Sequence, residues 1–321
     1  MKINGVPLRA SSLVLFGLPL FLLATTACRS QNSQELRDEL RRESAVSGLA
    51  LAAGSSWYIT VIPFDREERN FRTEQSRQIM AFGRAGRMVV WIYRPSFLQP
   101  DQFFVDSTDG ERVENINRKG ASSFFPLALS EAAGRIAFWG GLQGKDRAEG
   151  LRWSTFDLSR GSFIDEGRNC DWSPDGAALV YEKQNEIYVF DVATSSSRLL
   201  VKGHDPTWRP DGQCIAFRAP DRRASLVTTA GAPVKWALGT HEPTGAVRWS
   251  PDGRNVSFSE PIPGLHIPFV TADYRLVACR VKDGKSLTVR KSSGAKTGDT
   301  NNNFHWIVDY GKFCSGCMPG A

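Results

Sequence analysis

One short phrase occurs three times between Cys170 and Pro261, and it constrains the fold more than any other stretch of the chain. It reads Trp172-Ser173-Pro174-Asp175-Gly176, then Trp208-Arg209-Pro210-Asp211-Gly212, then Trp249-Ser250-Pro251-Asp252-Gly253, with Trp-to-Trp spacings of 36 and 41 residues. Such spacings suit repeats that are each one small sheet. Pro presets φ for the second position of a type I turn, Asp suits the third, and Gly accepts the positive φ of the fourth. A type I turn followed by a left-handed residue is a common tight link between antiparallel strands. Behind each Gly, the pairs Leu179 and Tyr181, Ile215 and Phe217, Val256 and Phe258 alternate with period two, as on one face of a strand. The phrase therefore predicts repeated hairpins.

Weaker copies continue the phase upstream. Leu129 to Phe138 keeps the length of the repeat, and Ala81 to Val90 keeps its apolar positions at Met88 and Val90. Third strands are predicted at Phe103–Asp106, Arg152–Asp157, Glu186–Val192 and Leu276–Val281, most of them followed by turn residues, and Arg198–Val201 reads as a fourth strand. Four strands per unit is the pattern of a propeller blade. At the ends, Leu49–Ala53 and Trp57–Pro63 read as second and third strands with no first strand before them. Phe304–Val308 reads as a first strand with no turn phrase after it. The expectation is an all-β, six-bladed β-propeller of four-stranded antiparallel blades, with seven blades as the alternative. Its ring is closed by pairing of the carboxy-terminal strand with the amino-terminal blade, which removes unpaired edges.

The phrase Trp-Ser-Pro-Asp-Gly-x-x-(Ile/Leu/Val)-x-(Phe/Tyr), followed by Ile187-Tyr188-Val189-Phe190-Asp191, resembles the repeat of the TolB-type propellers. Three strong copies cover residues 170–261, and weaker phasing extends over most of 48–310. The resemblance implies the propeller fold and a role among envelope proteins. TolB-type proteins carry an α/β domain ahead of the propeller, whereas here about twenty residues separate Cys28 from the first predicted strand.

The amino terminus reads as an export signal. Lys2 and Arg9 supply a positive start, Ser11–Leu23 a short apolar run, and Ala24-Thr25-Thr26-Ala27 small residues for cleavage. The run is short for a membrane-spanning helix. With Cys28 next, the segment resembles a bacterial lipoprotein signal in which that Cys is lipidated. It departs from the pattern at Thr25, where Leu is usual. A plain secreted protein and an uncleaved anchor are the alternatives. Arg29, rather than Asp, after the Cys favours the outer membrane. The predicted layout is a signal segment over 1–28, a tether with a short helix over 29–47, the propeller over 48–313, and a tail over 314–321.

The formal charge of +6 falls to +4 once Lys2 and Arg9 are removed, and the remaining charges alternate in sign, as in Arg37-Asp38-Glu39-Leu40-Arg41-Arg42-Glu43. This describes a solvated surface and not a nucleic-acid footprint. Nine Trp and nineteen Phe suit a fold that wedges rings between sheets.

Candidate binding residues fall opposite the turn phrases, because second-to-third loops and blade-to-blade connections share the other face of the disc. That face takes the longer loops, Tyr93–Gln102, Gly140–Gly150, Pro261–Thr271 and Lys291–Asn303, and is the expected working face. His204-Asp205-Pro206-Thr207 and His241-Glu242-Pro243-Thr244 pair an imidazole with a carboxylate close to an inner strand. Residue types of this kind can bind ligands or move protons; solvated turn residues are the alternative. Arg248 and His305, each one before a Trp, could place polar groups in the channel. Cys170, Cys214 and Cys279 read as buried thiols, and Cys314 and Cys317 as a local disulfide pair. No nucleophile elbow, phosphate loop or His-Glu-x-x-His occurs, so neither a metal nor a cofactor is expected. The predicted function is an envelope-anchored propeller that binds partner proteins. The alternative is an enzyme or a small-ligand or carbohydrate binder with a site at the channel mouth.

Overall fold

The structure, a computed structural model, describes residues 19–54, 58–72, 77–83, 87–93, 102–107, 112–115, 121–142, 146–262, 274–292, 304–307 and 309. Most of the four long loops expected on the working face, and the Cys314–Cys317 pair, lie outside these residues. The described strands form six four-stranded antiparallel sheets arranged as a six-bladed propeller. Blade one is mixed in origin: Phe304–Ile307 is its first strand, followed by Ala50–Gly54, Tyr58–Pro63 and Arg69–Arg72. Residues 50–53 pair antiparallel with 304–307, Ala50 opposite Ile307 and Ala53 opposite Phe304, so the two ends of the chain share one sheet as expected.

Blades two to six follow in chain order. Their first strands are Arg77–Phe82, Ala121–Ser130, Arg168–Trp172, His204–Trp208 and Arg248–Trp249. First strands of successive blades touch one another around the channel, as those of blades three and four, four and five, and five and six do. His204-Asp205-Pro206-Thr207, expected beside an inner strand, is the inner strand of blade five itself.

The turn phrases have the expected conformation. Gly176 N–H donates to Ser173 O at 2.9 Å, and the φ values of Gly176, Gly212 and Gly253 are 69°, 73° and 70°. Serine adds a contact that the Pro-Asp-Gly reading did not include. Ser173 Oγ donates to Asp175 Oδ1 at 2.6 Å and accepts from Ala178 N–H at 2.9 Å; Ser250 does the same with Asp252 and Asn255. The side chain thus ties the turn to the start of the next strand.

The Trp residues fill the spaces between blades. Trp172 packs with Ala128, Ala137 and Leu151 of blade three, and Trp208 with Val180, Ile187 and Val189 of blade four. Trp249 lies against Ala216 and Leu226 of blade five, and Trp306 against Leu276 and Ala278 of blade six. A buried ring of this size removes roughly 150–250 Å² of surface from water, so these wedges are the main attraction between neighbouring sheets.

A helix, Pro19–Ser47, precedes blade one. Leu36 and Leu40, one helical turn apart, are fully buried against Leu49, Leu51 and Ile62 of blade one and Leu276 and Leu287 of blade six. The helix therefore spans the seam at which the ring closes. No helix among the described residues is long and apolar enough to cross a membrane.

A Cβ at Gly176 would lie 2.3 Å from Ser130 Oγ and 2.5 Å from Ala133 Cβ, at a φ that side chains disfavour. Gly176→Val is expected to cost at least about 1–3 kcal/mol in chemical denaturation. Unchanged stability would show that the turn tolerates a side chain there.

Candidate binding site at the channel mouth

The first strand of each blade runs from the loop face to the turn face, so position along it sets depth in the channel. Residues two or three before the Trp lie at the loop end, the residue just before it lies midway, and the Ser-Pro pair lies at the turn end. Three cavities follow this order. One of about 180 Å³ at the loop end is lined by Asn169, Cys170, Asp205, Pro206, Arg248 and His305, among others. One of about 40 Å³ lies midway, between Asp171, Thr207, Arg248 and His305. A third, of about 210 Å³ at the turn end, is lined in part by Pro174, Pro210 and Pro251 of the three turn phrases. Arg248 and His305 border both of the first two and so separate the mouth from the middle of the channel.

The midway layer stitches blades together. Asp171 Oδ2 accepts from Trp208 N–H at 2.7 Å, and Thr207 Oγ1 donates to Val247 O at 2.8 Å. Trp306 Nε1–H donates to Arg248 O at 3.0 Å, which joins blade six to blade one across the seam. Phe82 of blade two packs on the His305 ring at 4.8 Å. Burial, and then the nearby Arg248 charge, hold His305 well below the usual imidazole range, so it is neutral. Burial also lowers the Arg248 guanidinium, against the opposing pull of Asp171 and Asp205, and it remains a cation.

The loop-end layer rests on a matched pair of bulges. Register shifts occur between Arg168 and Asp171 in blade four and between His204 and Thr207 in blade five. Within them Asn169 and Asp205 take positive φ, 46° and 51°, a conformation that Asn and Asp tolerate better than most side chains. Asn169 Nδ2–H donates to both Glu182 Oε2 and Asp205 Oδ1 at 3.0 Å, and Arg218 grips Asp205 Oδ2 with Nε at 3.2 Å and Nη2 at 2.9 Å. Glu182 also accepts from Asp205 N–H at 3.1 Å, and its Oε1 lies 3.1 Å from His204 Nδ1 and 3.3 Å from Arg168 Nη2. Burial alone would raise the Glu182 carboxyl, but the bonds from Asn169, Asp205 N–H and His204 outweigh it and hold the group below the usual range.

The structure thus brings Asp205, Arg248 and His305 to one cavity and places the other candidates elsewhere. His204 turns to Glu182. His241 lies in blade six's approach, its Nδ1 3.1 Å from Glu260 Oε2 and its ring against Phe258, while Glu242 is exposed. Glu260 also accepts from Arg275 Nε–H at 2.9 Å. Among the described residues no three His, Cys, Asp or Glu side chains gather as metal ligands would. Cys170, Cys214 and Cys279 are buried free thiols, each pushed up by burial. Sequence reasoning missed Asn169, Glu182 and Arg218. For Asn169 the usable signal was an Asn or Asp three residues before a Trp, a position that favours side chains tolerant of positive φ; Glu182 and Arg218 carried no such signal.

The sequence matches no protein-family model, and no relative among curated proteins is found for it. Solved structures do resemble it. TolB from Acinetobacter baumannii superimposes with a TM-score of 0.54 at 13% identity, over 80% of this chain and 66% of that one. A putative TolB from Agrobacterium tumefaciens gives 0.55 at 14%, over 81% of this chain and 97% of that one. A chain of a nidogen/laminin complex gives 0.52 at 14%, over 81% and 98%. The likeness is one of fold. The chain is a six-bladed propeller of the TolB shape, reached through a largely different sequence.

Two outcomes are expected. Glu182→Gln should destabilise the protein near neutral pH by about 1–3 kcal/mol. Because the folded carboxyl is depressed, that contribution exists above the unfolded range and vanishes as pH falls through the folded pKa. The gap between the two proteins in urea titrations should therefore close below pH ~4. His305 has the opposite chemistry and a related sign: the unfolded chain binds its proton first, so wild-type stability should fall as pH drops below about 6.5. His305→Gln should lose less over the same window in thermal melts.

Proposed function

We propose that this chain is an exported β-propeller that acts as a protein-interaction module on the periplasmic side of a bacterial cell envelope. In this reading Cys28 is lipidated, the outer membrane holds the anchor, and the loop face engages one or more envelope proteins. The observation that carries the binding role is the state of the polar groups at the channel mouth. Asp205 and the adjoining Glu182 each already hold charge-assisted partners within the protein, so these groups act as a rigid frame at the loop end of the channel. A rigid scaffold bearing exposed loops is how repeat folds present binding surfaces. The shared fold with TolB, and with a chain from a nidogen/laminin complex, supports the same reading.

The exposed tight loop Pro220-Asp221-Arg222-Arg223 of blade five lies on that face. Photo-crosslinking of the tagged full chain in the envelope of its own host tests the role. Arg222→Glu with Arg223→Glu should lose the crosslinked partner, while Asp211→Lys on the turn face should keep it. The reverse pattern would put the interface on the turn face. For the anchor, mass spectrometry of the mature protein should find an acylated amino-terminal Cys28, and Cys28→Ser should leave the membrane fraction. An unmodified mature amino terminus elsewhere would end the lipoprotein reading.

A second reading, a small polar ligand at the channel mouth, is supported by the cavity of about 180 Å³ between Asn169, Asp205, Arg248 and His305. That volume is below the roughly 300–1,000 Å³ of most small-molecule sites, which favours the protein-binding role. Calorimetric titration with simple sugars and small carboxylates decides between them. Heat that disappears in Arg248→Met would support the ligand site.

A further inference from the structure

The polar contacts of the amino-terminal helix described between Glu35 and Ser47 fall on one side of the disc. Ser44 Oγ donates to Asp65 Oδ1 at 2.9 Å and accepts from Phe64 N–H at 3.2 Å, at the third-to-fourth turn of blade one. Asp309, just past the closing strand, donates its N–H to Ser47 O at 3.0 Å. Glu43 meets Arg254, directly after the turn glycine Gly253, at 3.4 Å. Glu39 and Glu35 meet Arg280 at the end of blade six's third strand, and Glu35 also pairs with Lys285 in the following turn. Every one of these partners belongs to the turn face. Arg280 is 5% exposed and bound additionally to Asp283 at 2.6 Å, so the helix is held by a buried cation as well as by Leu36 and Leu40.

Residue 28 lies on the same helix, seven residues before Glu35, or about 10 Å along its axis. Arg37 and Arg41 are exposed one turn apart, with Arg42 beside them, a stripe suited to the phosphates of a lipid surface.

We propose that the helix is a rigid mount that sets the propeller against the membrane with blade six and the turn face nearest the lipid, and that directs the loop face away from it. This rests on the reading of Cys28 as the anchor. It also names the surface left open to a protein partner.

The test uses the full chain, purified from detergent-solubilised membranes and carried into vesicles of phosphatidylethanolamine and phosphatidylglycerol. Fluorophores on non-canonical amino acids at position 282 (turn face, blade six) or 221 (loop face, blade five) report energy transfer to an acceptor in the headgroup layer. Greater transfer from 282 than from 221 is expected, with loss of the difference in Leu36→Ala/Leu40→Ala. Should that variant not fold, Glu35→Lys/Glu39→Lys, which opposes Arg280, replaces it. Equal transfer from both positions, or more from 221, overturns the orientation. Separately, spin labels at 31 and 282 should give a narrow distance distribution. Capture by vesicles with a broad distribution overturns the mount alone, whereas failure of wild type to be captured removes the anchor reading and the orientation with it.

Discussion

A ring of sheets holds only if its last blade meets its first, and in this protein that junction is a four-residue pairing between residues 50–53 and 304–307. Closing a loop of some 250 residues costs entropy that grows only slowly with length, but the pairing alone is short. It is reinforced on both sides. Trp306 packs inward against blade six and donates to Arg248 O, and the helix covers the seam with Leu36 and Leu40. The closing strand also covers the edge that Ala50–Gly54 would otherwise present to another chain.

Channel chemistry follows from the packing of neighbouring blades, the closing pair included. Side chains just before a Trp point toward the channel and satisfy the neighbouring blade: Asp171 the backbone of blade five, Thr207 that of blade six. Arg248 and His305 come together only because blades six and one adjoin, and desolvation there, helped by the Arg248 cation, keeps the imidazole neutral. At the loop end the packing of blade five on blade four gathers Asn169, Glu182, Asp205 and Arg218 into one network. A network whose members all have partners favours rigidity over reactivity.

Much of the fold was legible because its signals are local. Pro174-Asp175-Gly176 specifies a turn wherever it stands, and the apolar alternation after it specifies a strand. The unmatched strands at the two ends required the closing sheet. The site was legible in part. Arg248 and His305 could be nominated from their place just before a Trp, which sets depth in the channel, and Asp205 from its His-Asp-Pro-Thr phrase. The partners of His204 and His241 could not, since Glu182 and Glu260 lie 22 and 19 residues away, on strands whose register is set by bulges and by packing between blades.

By itself the sequence determined the propeller architecture, the hairpin turns, the Trp wedges and the route of closure, since each depends on residues within one repeat or on the pattern left over at the ends; the choice of six blades over seven came from the structure. Tertiary structure alone decided which polar groups meet. It set the half-buried His305 beside Arg248, paired Asp205 with Arg218, and laid the amino-terminal helix across the seam on the turn face. Those outcomes depend on surfaces that exist only once neighbouring blades are packed, and no spacing within the repeat encodes them.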